Sequence, residues 1–403
     1  MNWSQRVAAL AVVALLALLG RQAAIHSIDF PVYHRAAQQL LAGNFELYPA
    51  EVYEGHPVPS QGFRYLPAVA VLFLPFGWLS LEPAAFVFFA LKLAALWWVG
   101  ATVARRAGST GWGQRAFVVA FVAAGGYLAE ELRFGNAHFF CIALMVLAYD
   151  RAESGRVVVP GLALAIAIAM KVTPVALLVY FAMRKRGRLC LATIAFLALL
   201  VVLPAAIIGP SANARELRAF TTYATEKLDE GDNYSLRGVL VRYLTLAPPD
   251  VSHVPANVAD LPMPTINILW LAGLFALGLA ALAAVWRDNS DPVARLLEFS
   301  IVLTGILIAS PHTQRRYYVA LYVPVAVLLA VLPRARSTEE RRLILTGLAA
   351  VAAPATVLPL VFGGRRLALL YEAGSPYFFG ALVLFGVLVV MTLRRKDSPA
   401  AIG

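Results

Sequence analysis

Asp29 stands near the head of HSIDFPVYHRAAQQLLAGNFELYP, residues 26 to 49, directly after the first long apolar run of the chain. A carboxylate there has two readings. It satisfies free N–H groups at the start of a short helix, or, partly desolvated, it takes a proton from a bound hydroxyl as a general base. The cations form the second group of interest. Arg64 lies in GFRYLP, Lys171 in AIAMKVTPV, Arg237 and Arg242 in NYSLRGVLVRYL, and Arg315 and Arg316 in SPHTQRRYY, all in or beside apolar stretches. A charge within a bilayer costs at least about 2.5–3.5 kcal/mol. Such groups either snorkel to headgroups or converge on an anion, and Arg forks and Lys ammonium groups suit phosphate oxygens. For Lys171, three residues before Pro174, the competing reading is an ion pair with Glu130 or Glu131. His312, between Pro311 and Thr313, reads as an interfacial histidine, or as a group that bonds a sugar hydroxyl or positions the base. His26 and His34 lack metal-ligand spacing, and Cys141 and Cys190 read as small buried hydrophobes, so no metal is expected. A Gly-rich phosphate loop and a G-x-S-x-G elbow are both missing, which argues against a nucleotide-binding domain and an α/β-hydrolase.

These residues need a scaffold, and the composition specifies which kind. Sixty per cent hydrophobic residues and a mean hydropathy of +0.72 over 403 residues exclude a soluble domain and predict one all-α, polytopic membrane domain over 1–403. The net charge of +11 gathers at 105–106, 184–188, 334–342 and 394–396. Basic cytoplasmic loops facing anionic lipid account for it without nucleic acid. Arg6 and the following apolar run resemble a signal peptide, but Arg21 and the lack of a small-x-small site before His26 favour an uncleaved first span. Clear apolar windows lie near 7–25, 83–104, 116–129, 137–149, 189–208, 265–286, 295–310, 317–333, 343–362 and 376–393. The expectation is about 10–12 crossings with both termini inside. Outside then lie 26–65, 210–264, the SPHTQRRYY turn and 363–375, while 334–342 and 394–403 are cytoplasmic. Residues 66–81, with Pro67 and Pro75, are expected not to cross fully, and 158–183 to be two short helices meeting near Lys171 and lining a cavity. In the first outer loop Pro31 opens a helix, Val32, Ala36, Leu40 and Leu41 fall near one face, and Gly43 stops it, predicting a short amphipathic helix on the membrane surface. The unequal outer loops and the lack of a two-fold repeat argue against a transporter.

Six motifs in order, DFPVYHRAAQQLLAGNFELYP, FRYLP, RFGNAH, AMKVTP, NYSLRGVLVR and SPHTQRRYY, run from about residue 29 to 325. Together they resemble glycosyltransferase family 87, membrane enzymes of the GT-C type that include polyprenol-phosphate-mannose-dependent α-1,2-mannosyltransferases. The resemblance implies an inverting transfer of a sugar, mannose before arabinofuranose, from a polyprenyl-phosphate donor. The acceptor is a glycolipid or glycan hydroxyl at the outer face of the cytoplasmic membrane, and no metal or cofactor takes part. It implies Asp29 as general base with His312 beside it, and Lys171, Arg237, Arg64 and Arg316 around the donor phosphate. Tyr33, Tyr65, Asn136, Asn233 and Tyr234 are then the sugar and acceptor ligands. Partners are the two lipid-borne substrates and membrane lipids, with the oligomeric state open. Two positions depart from the family pattern: Gly135 replaces a glutamine before Asn136, and HTQRRYY is unusually basic. A lipid flippase and a structural envelope protein are the competing classes, and neither needs a base at position 29.

Overall fold

The computed structural model describes residues 17–54, 62–108, 123–225, 232–246, 254–286, 291–357 and 365–397. Among the described residues there is no strand. The described residues form an all-helical membrane bundle in which six helices are long and apolar enough to cross, or up to seven if one bent pair counts as a span. This is fewer than ten to twelve. The expected first span over 7–25 and the one over 116–129 lie largely outside the described residues, as does the end of 343–362.

The helices that position the site are α1 (Phe30–Leu41), α2 (Leu81–Arg106), α3 (Gly125–Phe134), α4 (His138–Glu153), α5 (Val158–Met170), α6 (Ala176–Met183), α7 (Gly187–Val202), α8 (Pro210–Thr225), α9 (Leu236–Leu244), α10 (Met263–Val285), α11 (Pro292–Ala309), α12 (Tyr322–Val331), α13 (Thr338–Ala352), α14 (Arg365–Ala373) and α15 (Pro376–Asp397). Arg315–Arg334, which contains α12, is the most buried span, whereas the spans containing α7 and α10 expose most of their length. The exposed pair is apolar on all sides, as a helix facing lipid has to be.

Three local breaks shape the site. Residues 66–81 form only the short helices Pro67–Leu72 and Leu74–Gly77, too short to cross. The stretch 158–183 breaks at Lys171, as the sequence suggests. Pro174 cannot continue a helix because it lacks an N–H and its ring meets the carbonyl four residues back, at Met170, where α5 ends. Lys171 is consequently extended (φ −150°, ψ 130°). Between α3 and α4 the axis turns by 116°. Gly135 supplies the left-handed residue that ends α3 (φ 68°), so Gly125–Phe134 and the helix over the expected 137–149 span are two arms of one sharp bend.

The helix expected in the first outer loop forms where predicted, with Ala36 buried and Val32 and Leu40 packed against the core, but it buries more than the apolar stripe. Phe30, Tyr33, His34, Ala36 and Ala37 are buried, while Leu41 is exposed. His34 Nε2 lies 2.9 Å from the Leu79 carbonyl oxygen, and Phe30 packs on Phe76 and Phe88. The helix is packed into the bundle through its aromatic residues, which apolar periodicity alone underweighted.

At the end of the bundle opposite Asp29, ion pairs join neighbouring helices. Arg106 Nε pairs with Asp150 at 2.7 Å, Arg295 with Glu153 at 2.6 Å and Arg395 with Glu340 at 2.6 Å. Arg184 pairs with the fully buried Glu298, and Arg334 donates to the Ala107 carbonyl.

Candidate functional site

Asp29 occupies the N-cap position of α1, yet its side chain makes no capping bond. The carboxylate turns instead toward the bend between α3 and α4. Its backbone N–H and that of Ile28 donate to the Phe134 carbonyl at 2.8 and 3.1 Å, which fastens the start of α1 to the end of α3. Asn136 Nδ2 donates to Asp29 Oδ2 at 2.8 Å, while Asn136 Oδ1 accepts from the His138 N–H at 2.7 Å. The second bond fixes which way the amide faces, because only its NH2 end can donate to a carboxylate. Arg316 Nε lies 3.4 Å from the same Asp29 oxygen. Both partners engage Oδ2, and neither engages Oδ1.

Around this carboxylate the structure assembles most of the predicted residues. The Tyr33 and Tyr65 hydroxyls share a hydrogen bond of 3.1 Å, and the rings stack at 5.5 Å. The Ala137 N–H donates to the Tyr33 hydroxyl oxygen at 3.4 Å. Burial holds both phenols well above their usual range, with neighbouring tyrosines adding to it, so they act as protonated hydrogen-bonding groups rather than bases. Lys171 Nζ lies 3.2 Å from the centre of the Tyr317 ring, a cation–π contact. The acids expected to compete for it are engaged elsewhere: Glu130 pairs with Arg315 and Glu131 with Lys92. Burial first, then the positive charges of Lys171, Arg64 and Arg316, push the His312 imidazole down to about 3. That ring is neutral at any ordinary pH and sits within the field of the three cations.

Arg237, Asn233 and Tyr234 belong to a neighbouring layer. Asn233 donates to the Pro311 carbonyl at 2.9 Å and accepts from the Thr313 and Ser235 N–H groups, each at 3.0 Å. Its amide clamps the turn that carries His312. The Tyr234 ring packs edge-on against Tyr377 and beside Arg242. Arg237 is buried in the first turn of α9, its guanidinium 5.9 Å from the Trp270 ring, and burial lowers it from its usual range.

Two apolar cavities, each of about 530 Å³, reach this region from different sides. One runs between α6, α10 and α11 past Tyr180, Leu277, Ile301 and Gly305 and ends at Thr173 and Pro311, close in sequence to Lys171 and His312. The other passes Phe73, Phe88, Trp98 and Phe140 and ends at Ala137 and Met170. Among the described residues no group of three or more His, Cys, Asp or Glu side chains stands in a position to hold a metal ion.

The motif order and the helical bundle agree with the family comparison. The model for glycosyltransferase family 87 matches residues 63–311, more than half of the chain. The chain belongs to glycosyltransferase family 87. It is similar to a polyprenol-phosphate-mannose-dependent α-(1-2)-phosphatidylinositol mannoside mannosyltransferase of Mycolicibacterium smegmatis, with 27% identity over 94% of this chain and 87% of that protein. The protein of the same description from Mycobacterium tuberculosis is 24% identical over 93% and 87% of the two chains. Among solved structures, ArnT from Cupriavidus metallidurans bound to undecaprenyl phosphate is similar over 98% of this chain and 78% of its own, at 16% identity and a TM-score of 0.46. As a family 87 chain, the protein is a membrane glycosyltransferase.

Two supporting residues of this family 87 site were not singled out from sequence. Tyr317 carries Lys171 against its ring, and Lys92 lies behind the bend. A lysine in the middle of FVFFALKLAALWW was a readable signal, since intramembrane charges are rare without a task.

Proposed function

We propose that the chain transfers mannose, with inversion, from a polyprenyl-phosphate donor to a hydroxyl of a glycolipid acceptor at the outer face of the cytoplasmic membrane. The observation that carries this reading is the Asp29 carboxylate. It stands at a helix N-terminus without capping it, and is held instead by Asn136 and Arg316 with one oxygen left for substrate. In the reaction Asp29 removes the proton of the acceptor hydroxyl as its oxygen attacks C1, and the C1–O bond to the phosphate breaks on the opposite face. The departing polyprenyl phosphate gains negative charge, which fixed cations stabilise most in a water-poor site. Lys171 and Arg64 serve that role, while Arg316 is divided between phosphate and Asp29. Neutral His312 offers a hydrogen bond to the sugar or the acceptor and takes no proton from it. The apolar cavity ending at Thr173 and Pro311 receives the first isoprene units. The names of the mycobacterial relatives support the donor class, the sugar and a lipid acceptor. No step needs a metal, and transfer is expected to survive chelation.

The test is sugar transfer by purified protein in detergent, using radiolabelled polyprenyl-phosphate mannose and extracted membrane glycolipids, with wild type beside Asp29→Asn. Transfer by wild type, lost in the variant while donor binding persists, supports the enzyme and its base together. Wild type that binds donor but glycosylates no acceptor in the extract overturns the reading in favour of a lipid carrier.

A further inference from the structure

Lys92 sits near the middle of the spanning helix α2 and is 1% exposed. Its Nζ donates to the Glu131 carbonyl at 2.7 Å and lies 3.5 Å from the Glu131 carboxylate, itself 1% exposed. The same carboxylate oxygen, Oε1, accepts from the Phe139 N–H at 3.0 Å. Glu131 therefore bridges the bend: it belongs to α3, ties down the first turn of α4, and is fixed from behind by a cation on α2. Between its two anchor points lie Phe134, whose carbonyl holds the Asp29 backbone, and Asn136, whose amide holds the Asp29 carboxylate.

A buried ion pair is a poor stability device. Removing two charges from water costs several kcal/mol per ion, and apolar replacements of like volume are often as stable or better. In an apolar spanning helix the cost points to a task. We propose that Lys92 and Glu131 are positioning residues for the transfer reaction, a strut that sets the 134–138 turn and through it the aim of Asp29. The strut touches no substrate. It is drawn taut by three contacts on one carboxyl residue: its carbonyl to Lys92, its carboxylate to Lys92, and its carboxylate to Phe139. Relaxing it lets the bend and α1 shift relative to each other, and the carboxylate loses its approach to the acceptor hydroxyl. This inference rests on Asp29 being the base.

The test compares wild type, Lys92→Met/Glu131→Gln and Asp29→Asn, reading thermal midpoint, donor affinity and kcat separately. The double variant removes both charges while keeping volume and an acceptor for the Phe139 N–H. Its midpoint and donor affinity are expected to stay near wild type, while kcat falls about 10–100-fold, the penalty for misplacing a catalytic group by up to about 1 Å. A folded double variant with wild-type kcat overturns the strut, as does a parallel fall of donor affinity and kcat, which marks general loosening. Should the double variant aggregate, Glu131→Gln alone decides by the same criteria. Full transfer by Asp29→Asn refutes the base assignment instead, so the two failures are told apart.

Discussion

Gly135→Ala tests the geometry most sharply. The residue has φ +68°, and a Cβ built there falls 2.8 Å from the Phe30 Cβ, 2.9 Å from the Ser27 Cβ and 3.3 Å from the Phe30 nitrogen. Ordinary carbon–carbon contact lies at about 3.5–4.0 Å, so residues 27–30 retreat by about 1 Å. The left-handed conformation costs about 1–2 kcal/mol for alanine, and forcing a methyl into packed surroundings about 1–3 more. A destabilisation of about 2–5 kcal/mol follows. The displaced segment carries Asp29, so its 2.8 Å bond from Asn136 stretches out of hydrogen-bond range, and a misplacement of that size lowers kcat by about 100-fold. Gly43→Ala is the control, because Gly43 is also left-handed (φ +74°) but its Cβ would meet nothing within 4 Å. The assay is donor-saturated sugar transfer together with thermal unfolding in detergent. Equal kcat in the two variants would refute the idea that close packing of the bend against the first loop aims the carboxylate.

Three further outcomes are expected. Asn136→Ala removes a hydrogen bond to a charged acceptor, typically worth about 1.5–3 kcal/mol, and should lower kcat about 10–100-fold with little change in donor affinity, measured by titration of labelled donor. Lys171→Met should act the other way, weakening donor binding at least as much as it slows transfer, and unchanged donor affinity would remove Lys171 from the phosphate site. His312, pushed down to about 3 by burial and three nearby cations, should add no inflection near pH 6.5 to the transfer rate. Because its folded value lies below its unfolded one, the stability it confers as a neutral ring is complete above about pH 6.5. That stability drains as pH falls toward 3, so His312→Gln should flatten the acid fall of the thermal midpoint between pH 7 and 4.

Short-range signals carried much of this architecture. Asp29 and the Lys171 break were readable, because each depends on a local rule, an acid before a proline helix and a proline four residues after the last helical carbonyl, whereas Asn136 entered only through the motif resemblance. What eluded the sequence was pairing across distance. Lys92 and Glu131 are separated by 39 positions, and nothing in either segment names the other. The buried side of α1 was caught only in part for a related reason. Tyr33 and His34 count as polar in any periodicity, yet here each is buried with its polar atom bonded, Tyr33 to Tyr65 and His34 to the Leu79 carbonyl. Arg316 was expected at the donor phosphate, and its contact with Asp29 was not foreseen.

The ion pairs at the far end of the bundle bear on where a sugar can come from. Arg106–Asp150, Arg295–Glu153, Arg184–Glu298 and Arg395–Glu340 bind α2, α4, α6, α11, α13 and α15 to one another there, while the cluster around Asp29 lies at the other end. A carrier has to open its two ends in turn, and here one end would have to break several partly buried pairs at once. With Asp29 as the base of the proposed transfer, a sugar lipid assembled on the opposite leaflet reaches it only after being turned over.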